Sequence, residues 1–311
     1  MNHKILYIAM VGWAASGLRS QADNISTTLS EWNLITAGNL QDVTDVNGNT
    51  YVGGNVTVAN SFDVGTSDSA TVQPGNYSLA VDGNINSGGT IDVDAGNTVV
   101  GGTVTGRTIS GGTVTKGSLA SVPSSPVSTV DSASTAWSKM TANSSAAVSG
   151  GTLNFNCANS ATLAVFNITA ATLFKQNQSF GLKLGSSTAQ VVINVSGTSA
   201  TEAGGENFNG LFSSWGNRVV FNFYQATSVS LSGSIYGYVV APDATVSTTS
   251  TIVGGVMANV LNSSSEVERC AGTSDYANTP AVPDAGNTAG LLGLSFSSLA
   301  LVRRRYFGRA A

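Results

Sequence analysis

Pairs of adjacent glycines, set between short runs of β-branched residues, constrain the fold of this chain most strongly. Stretches such as NTYVGGNVTVA (49–59) and NTVVGGTVTG (97–106) show the pattern. Glycine permits tight turns, whereas valine, isoleucine and threonine favour pleated strands. The sequence therefore predicts many short strands joined by tight turns. The glycine pairs lie at 53–54, 88–89, 101–102, 111–112, 150–151, 204–205 and 254–255.

The near-repeats indicate how such strands would be arranged. VVGGTVTG and ISGGTVTK follow each other at an offset of ten residues. Repeats of short strands and turns are typical of a solenoid, so residues 23–270 are predicted to form a right-handed parallel β-helix. A β-sandwich would explain the strand spacing too and stays as the alternative.

Threonine pairs within these two repeats raise a functional hypothesis. If the two coils stack, the hydroxyls of Thr103 and Thr105 would align with those of Thr113 and Thr115 on one face. Such an array would suit a flat ice- or glycan-binding surface. The interpretation that we favour is an ordinary β-helix exterior.

One segment departs from the β pattern. Ser125 and Pro126 can serve as the N-cap and first residue of a helix. An amphipathic helix over about 126–142 is therefore predicted to dock on the β body. Its apolar positions recur at helical spacing, at Val127, Val130, Ala133, Trp137 and Met140.

The start of the chain predicts export. Lys4 precedes a short apolar run, and small residues precede a cleavage site after Ala22, which is the layout of a signal peptide over residues 1–22. Export predicts an oxidising compartment, in which Cys157 and Cys270 would form a disulfide. Two buried free thiols are the alternative.

The end of the chain predicts a second targeting element over residues 282–311, after a linker at 271–281. An uncharged apolar stretch at 289–302 is followed by a basic end at 303–311. A basic cluster stays on the cytoplasmic side of a membrane, so this tail would hold the exported body outside while it spans the membrane transiently. The cluster begins with Arg303, Arg304 and Arg305.

Charge and histidine content exclude several function classes. Six of the 13 basic residues lie in the two ends, which leaves seven against 17 acidic residues, a net charge near −10. A nucleic-acid-binding face would need the opposite sign. The single histidine, His3, lies in the signal peptide, so the exported chain cannot build a serine–histidine or cysteine–histidine nucleophile.

Carboxylates are the remaining candidates for chemistry. Asp92 and Asp94 alternate along a strand-like stretch and would face one side, and Asp42 and Asp45 lie in an acidic turn. Three interpretations are open: calcium coordination, with Asp92 and Asp94 as ligands, a paired-carboxylate glycosidase or lyase site, and solvated turn residues.

Two stretches of the body resemble the choice-of-anchor A family of bacterial surface domains, which are classed as adhesins. WNLITAGNLQDVTDVNGNTYVGGNVTVANSFDVG is similar to the opening of the family, and VVFNFYQATSVSLSGSIYGYVVAPDATVS with IVGGVMANVLNSSSEVE to its end. The family usually ends in a Gly-Glu-x-His element. Residues 265–268 read Ser-Glu-Val-Glu here, so no role of that histidine carries over.

The tail resembles the VPDSG-type sorting signals, relatives of the PEP-CTERM tags that exosortases process. The resemblance implies secretion machinery and an exosortase-like enzyme as partners. It implies sorting to the surface or extracellular matrix of a Gram-negative-type bacterium. The motif residues are Val282, Pro283, Asp284, Ala285, in place of the usual serine, and Gly286.

Together these features favour a non-enzymatic, adhesin-like surface or matrix protein, with extracellular polysaccharide as a further partner. No cofactor is expected, and calcium stays as the alternative. Two alternatives remain. One is a polysaccharide-active β-helix enzyme that uses carboxylates, and the other is an ice- or glycan-binding protein.

Overall fold

The computed structural model describes residues 25, 28–66, 77–106, 108–117, 119, 126–204, 207–208 and 211–270. The predicted signal peptide with its cleavage site at Ala22, the linker at 271–281 and the tail at 282–311 lie outside the described residues.

The first half of the body consists of short strands. They are β1 (Trp32–Thr36), β2 (Leu40–Gln41), β3 (Asp45–Val46), β4 (Asn49–Val52), β5 (Val56–Val58), β6 (Phe62–Val64), β7 (Tyr77–Val81), β8 (Ile85–Ser87), β9 (Ile91–Val93), β10 (Asn97–Val100), β11 (Val104–Gly106), β12 (Ile109–Ser110) and β13 (Val114–Lys116).

A helix, α1, then precedes a second half that contains longer strands. The elements are α1 (Pro126–Ser138), β14 (Ser145–Ser149), β15 (Thr152–Asn156), β16 (Leu163–Thr169), α2 (Ala170–Leu173), β17 (Ser179–Lys183), β18 (Gln190–Ser196), β19 (Ser199–Thr201), β20 (Asn207–Phe208), α3 (Leu211–Trp215), a 3-10 turn (Gly216–Arg218), β21 (Val219–Asn222), β22 (Ser228–Leu231), β23 (Ile235–Thr248), β24 (Ile252–Ser263) and β25 (Val267–Glu268).

Among the described residues, all strand pairings but one are parallel, and they stack the strands into three faces. Face A contains β1, β4, β7, β10, β13, β16, β18, β21 and the first parts of β23 and β24. Face B contains β2, β5, β8, β11, β19, β22 and the later parts of β23 and β24. Face C contains β3, β6, β9, β12 and β25, and a separate sheet in the order β14, β15, β17, β20.

This topology confirms the predicted β-helix. A β-sandwich would be built from antiparallel strands, whereas β14 with β15 is the one antiparallel pair that the described residues form. Parallel strands stacked coil on coil, with turns between the faces, are the arrangement of a solenoid.

Four of the glycine pairs, at 53–54, 88–89, 101–102 and 111–112, form turns at places where successive coils approach closely. A Cβ atom added at Gly53 would lie 2.5 Å from the carbonyl oxygen of Ala37 in the preceding coil. The pair at 53–54 lies at the corner between faces A and B, as does the pair at 101–102. The pair at 254–255 lies inside β24 instead, so that one does not mark a turn.

The two halves of the chain meet in the middle of the stack. The last full coil, formed by β24, pairs in parallel with β1, for example Leu34 with Val256. From this junction the first half extends in one direction through β4, β7, β10 and β13. The second half begins at the other end, with β16, and returns through β18, β21 and β23.

Helix α1 brings the chain back along face A. It begins at Pro126 as predicted but ends at Ser138, four residues before the expected end at 142. Val130, Ala133 and Trp137 are buried against the β body. The prediction of one docked amphipathic helix is therefore confirmed, with a shorter extent.

A ladder of three stacked asparagines binds the carboxyl-terminal part of α1. Asn222 donates a hydrogen bond to the Ser134 carbonyl (3.0 Å), and Asn194 donates one to the Trp137 carbonyl (2.7 Å). Asn167 donates to the Met140 carbonyl (3.1 Å). Ser134 and Trp137 lie in the last turns of α1, and Met140 lies two residues after its end, so the ladder holds this end of the helix against face A.

The predicted disulfide between Cys157 and Cys270 is wrong in this structure, because both residues are free thiols. Their surroundings differ. Cys157 lies at the end of β15, beside Thr188, whereas the thiol of Cys270 donates to the Val253 carbonyl on β24 (3.3 Å). Burial raises the pKa of both thiols, and that of Cys270 to about 12.

The asparagine ladder generates a stability prediction. Asn222→Ala would leave the Ser134 carbonyl and hydroxyl, both bound by Asn222, without their partner in a buried place. We expect a loss of about 2–4 kcal/mol in the free energy of unfolding, measured by chemical denaturation. Asn167→Ala removes an exposed member of the same ladder and should cost less than about 1 kcal/mol. Equal losses in both variants would contradict a role of buried hydrogen bonds in holding α1.

Candidate functional site

Face B carries a column of uncharged polar side chains that runs across eight strands. The registered pairs place one outward residue of each strand beside the next, from β19 at one end to β11 at the other. None of the eight is charged. In stacking order they are Thr201, Ser230, Ser247, Asn262, Gln41, Thr57, Asn86 and Thr105.

A second polar column flanks the first in the first half of the chain. The side-chain oxygen of Asn39 accepts the backbone N–H of Asn55 (2.8 Å), and that of Asn55 accepts the N–H of Asn84 (2.9 Å). The oxygen of Asn84 accepts both the N–H and the hydroxyl of Thr103 (2.8 Å each). This ladder fixes the corner between faces A and B, and its members keep one orientation from coil to coil.

The chemistry of face B follows from its regularity. Neighbouring strands are about 4.8 Å apart, so eight strands present hydroxyl and amide groups over about 34 Å. Thr57, Asn86 and Thr105 are exposed. Such a face offers hydrogen-bond donors and acceptors at a constant spacing and no charge, so it is suited to another regular, uncharged surface.

The predicted alignment of the two threonine pairs is wrong. Thr105 lies on face B, where it pairs with Asn86, whereas Thr115 lies on face A, where it pairs with Val99. The offset of ten residues between the repeats is less than one coil, so VVGGTVTG and ISGGTVTK occupy different faces. Thr103 lies at the corner of the asparagine ladder, and the backbone N–H of Thr113 donates to Asn97 (2.8 Å).

Face C differs from face B because it carries a column of carboxylates. Asp45 pairs with Asp63, which pairs with Asp92 on the following strand. On the next strand, β12, Ser110 pairs with Asp92, and its hydroxyl donates a hydrogen bond to the Asp92 carboxylate. On the other side Val267 pairs with Val46, so Glu266 follows Asp45 in the column.

Stacking of like charges changes the acidity of this column. Burial, with the charges of Glu266, Asp63 and Asp94, raises the pKa of Asp45 from its ordinary value of 3.8 to about 6. Burial, with the charges of Asp92 and Asp94, also raises the pKa of Asp63. The carboxylates therefore destabilise one another when all are ionised.

The structure joins some of the predicted acidic residues and separates others. Asp92 and Asp45 belong to one column, and the charge of Asp94 contributes to the raised pKa of Asp45 and of Asp63. Asp42 lies in a turn with a positive φ of 52°, and its carboxylate accepts the N–H of Ala59 (3.1 Å). Within the described part of the chain, no group of three or more His, Cys, Asp or Glu side chains could hold a metal ion. Calcium binding at Asp92 and Asp94 thus stays a prediction.

Sequence reasoning missed Asp63 and Glu266 as members of this column. A signal for Asp63 was present, since Phe62-Asp63-Val64 and Ile91-Asp92-Val93 share an apolar–Asp–Val pattern in which both apolar residues face the core. Glu266 carried no such signal, because its place depends on the pairing of β25 with β3.

None of the helices in the described ranges is long and apolar enough to cross a membrane.

Comparison with known protein families gives two matches. Residues 25–269 match the model of an ice-binding-like adhesive domain, which covers the whole described β-helix. The chain belongs to this family of adhesive domains. The tail, at residues 281–306, matches the VPDSG-CTERM motif. Neither match names the choice-of-anchor A family, so that resemblance remains an interpretation of the sequence.

One solved structure was also found to be similar. It is an ice-binding protein from the Antarctic ascomycete Antarctomyces psychrotrophicus, with 16% sequence identity and a TM-score of 0.31. The match covers 79% of this chain and 98% of that one. No curated protein sequence matches the chain.

The carboxylate column generates a prediction of pH dependence. Because the pKa of Asp45 is raised on folding, the folded protein binds more protons than the unfolded chain between pH 6 and pH 4. The free energy of unfolding should therefore rise as the pH falls from 7 to 4, by about 1 kcal/mol for this partly exposed group. Denaturation curves recorded at several pH values measure this change in the free energy of unfolding.

Asp45→Asn should remove most of this pH dependence, because it removes the most strongly shifted carboxylate. Asp82→Asn is the control, since it removes the same charge from an exposed position at the corner of faces A and B. Two results would show that repulsion among these carboxylates does not affect stability. One is a free energy of unfolding that does not change with pH in the unchanged protein, and the other is the same pH dependence in Asp45→Asn.

Proposed function

We propose that this protein is exported, sorted to the cell surface or extracellular matrix through its tail, and adheres to ice through face B without catalysing a reaction. The observation that carries the proposal is the column of eight uncharged hydroxyl and amide side chains on face B. Membership in the ice-binding-like adhesive family supports it.

Differences between the three faces support face B as the adhesive surface. Face A is covered by α1 over the second half of the stack, and face C carries the carboxylate column. Removing an ionised carboxylate from water costs far more than removing a neutral hydroxyl or amide group that finds a new hydrogen-bond partner. Face B thus combines exposure, regular spacing and neutrality.

The tail supports the sorting part of the proposal. The match of residues 281–306 to the VPDSG-CTERM motif supports it, since this motif follows the adhesive-domain match, which ends at residue 269. An exosortase-like enzyme would process the tail, and the secretion machinery would require the signal peptide at 1–22. The proposed location is the outer envelope or matrix of a Gram-negative-type bacterium.

Variants of face B test adhesion. Thr57→Tyr and Thr105→Tyr would place a bulky ring in the middle and at the end of the column, and contact between two flat surfaces does not tolerate such a projection. We expect a several-fold loss of thermal hysteresis and of the fraction of protein taken up into a growing ice crystal. Thr135→Tyr, at an exposed position on α1, is the matched control and should leave both measurements unchanged.

Two results would contradict adhesion to ice through face B. One is an unchanged protein without thermal hysteresis or uptake into ice, and the other is an equal loss in Thr57→Tyr and Thr135→Tyr. Retention of the unchanged protein on an uncharged polysaccharide, with loss in Thr57→Tyr, would assign face B to a glycan instead. Release of sugar products from that polysaccharide would contradict the proposed lack of catalysis.

Deletion of residues 282–311 tests sorting. The shortened protein should appear in the medium or remain in the periplasm, because the motif and the apolar stretch that hold it in the envelope are gone. Fractionation of cells followed by immunodetection measures the distribution. Ala285→Ser, which introduces the usual serine of the motif, is the control and should stay at the surface. Unchanged surface retention after the deletion would refute sorting through the tail.

A further inference from the structure

Two sheet edges, those of β16 and β14, lie at the end of the solenoid where the second half of the chain begins. The edge of β16 is protected, and that of β14 is open. The edge of β16 is closed by Asn143, whose N–H donates to the Val165 carbonyl (3.2 Å). Its side chain also accepts the Val165 N–H (2.8 Å) and donates to the Leu163 carbonyl (2.9 Å). One residue therefore replaces the missing neighbour of this strand on face A.

Strand β14, at the edge of the four-stranded sheet, has no such cap. It pairs along its whole length with β15, from Ser145 with Asn156 to Ser149 with Thr152, without a shift in register. No strand in the described ranges pairs with its other edge. A regular edge strand exposes a row of backbone N–H and C=O groups that can pair with another chain.

Strand β14 lacks two devices that protect many edge strands, a charged side chain and a proline. Its five residues, SAAVS, include no charge and no proline, and the chain has no charged residue between Lys139 and Lys175. Val148 is 50% exposed, the one large apolar side chain with such exposure among the described residues. An uncovered edge of this kind is a site for strand addition.

The sequence of β14 fits a second copy of itself. In an antiparallel pair centred on Ala147, Ser145 faces Ser149 of the other copy and Ala146 faces Val148. Each pair joins small or matching side chains, so no pair clashes and no like charges meet. A self-complementary patch of this kind produces a closed, two-fold symmetric contact.

We propose that two copies of this chain pair through β14 in antiparallel orientation, about a two-fold axis at Ala147. The two four-stranded sheets then form one sheet of eight strands. The dimer goes beyond the proposed function, since it presents two adhesive faces from one particle, and two linked contacts raise avidity. Five residues give a short edge, so a roughly micromolar dissociation constant is expected.

Charge variants at the two-fold axis test the pairing by sedimentation of the purified exported protein. Ala147 is exposed, so Ala147→Lys and Ala147→Glu should both fold. Each variant alone should be monomeric, because two like charges then lie directly opposite each other. An equimolar mixture should dimerise again. Thr135→Lys, on α1, carries the same charge elsewhere and should dimerise like the unchanged protein.

Cross-linking provides an independent readout. Ala147→Cys would place two thiols opposite each other across the axis, within reach of a disulfide. Under mild oxidation it should yield a covalent dimer, while Thr135→Cys and the unchanged protein, with its two native cysteines, should not. A monomeric unchanged protein at 100-fold the expected dissociation constant would overturn the proposal. So would dimerisation of Ala147→Lys alone.

Discussion

The whole stack depends on the parallel pairing of β1 with β24. These strands are separated by more than 200 residues in sequence, yet Leu34, Ile35 and Thr36 pair with consecutive residues of β24. Asn33 strengthens the junction, since its side chain donates to the Gly254 carbonyl and accepts the N–H of Gly48 (3.1 Å). Without this contact, β1 and β24 would each expose a row of unpaired backbone N–H and C=O groups. The two halves therefore stabilise each other, although each has its own run of coils.

This central junction also determines how the three faces differ. Because the second half begins at the far end, the chain must cross face A once, and α1 makes that crossing with Asn194 and Asn222 as its anchors. Face B is continuous through the junction, from β19 to β11, so the polar column crosses both halves without interruption. Face C joins Glu266, from the last strand, to the carboxylate column of the first half. The neutral polar column and the carboxylate column thus lie on different sides of one stack.

Local chemistry could predict the strands, the turns and the helix, but not the register. The glycine pair at 53–54 indicated a tight turn because only glycine fits beneath the Ala37 carbonyl. The step from one coil to the next, however, varies from 15 residues (Val246 to Leu261) to 29 (Thr50 to Leu79). No fixed period in the sequence could therefore place Thr105 and Thr115 on different faces, or bring Asp63 between Asp45 and Asp92. The disulfide failed for the same reason, since a cysteine count carries no information on which coil each thiol occupies.

The polar column of face B is not built from one repeated residue. In a strict repeat the same residue type would recur along the column, whereas here its eight positions contain threonine, serine, asparagine and glutamine, which share one property. Gln41, Thr57 and Asn86 differ in size, yet all three are uncharged hydrogen-bonding groups at one register position. The constraint on face B is therefore neutrality and spacing rather than identity. A surface of this kind can be recognised from the pairing of strands, but it cannot be predicted from the sequence pattern, because its residues follow no fixed spacing along the chain.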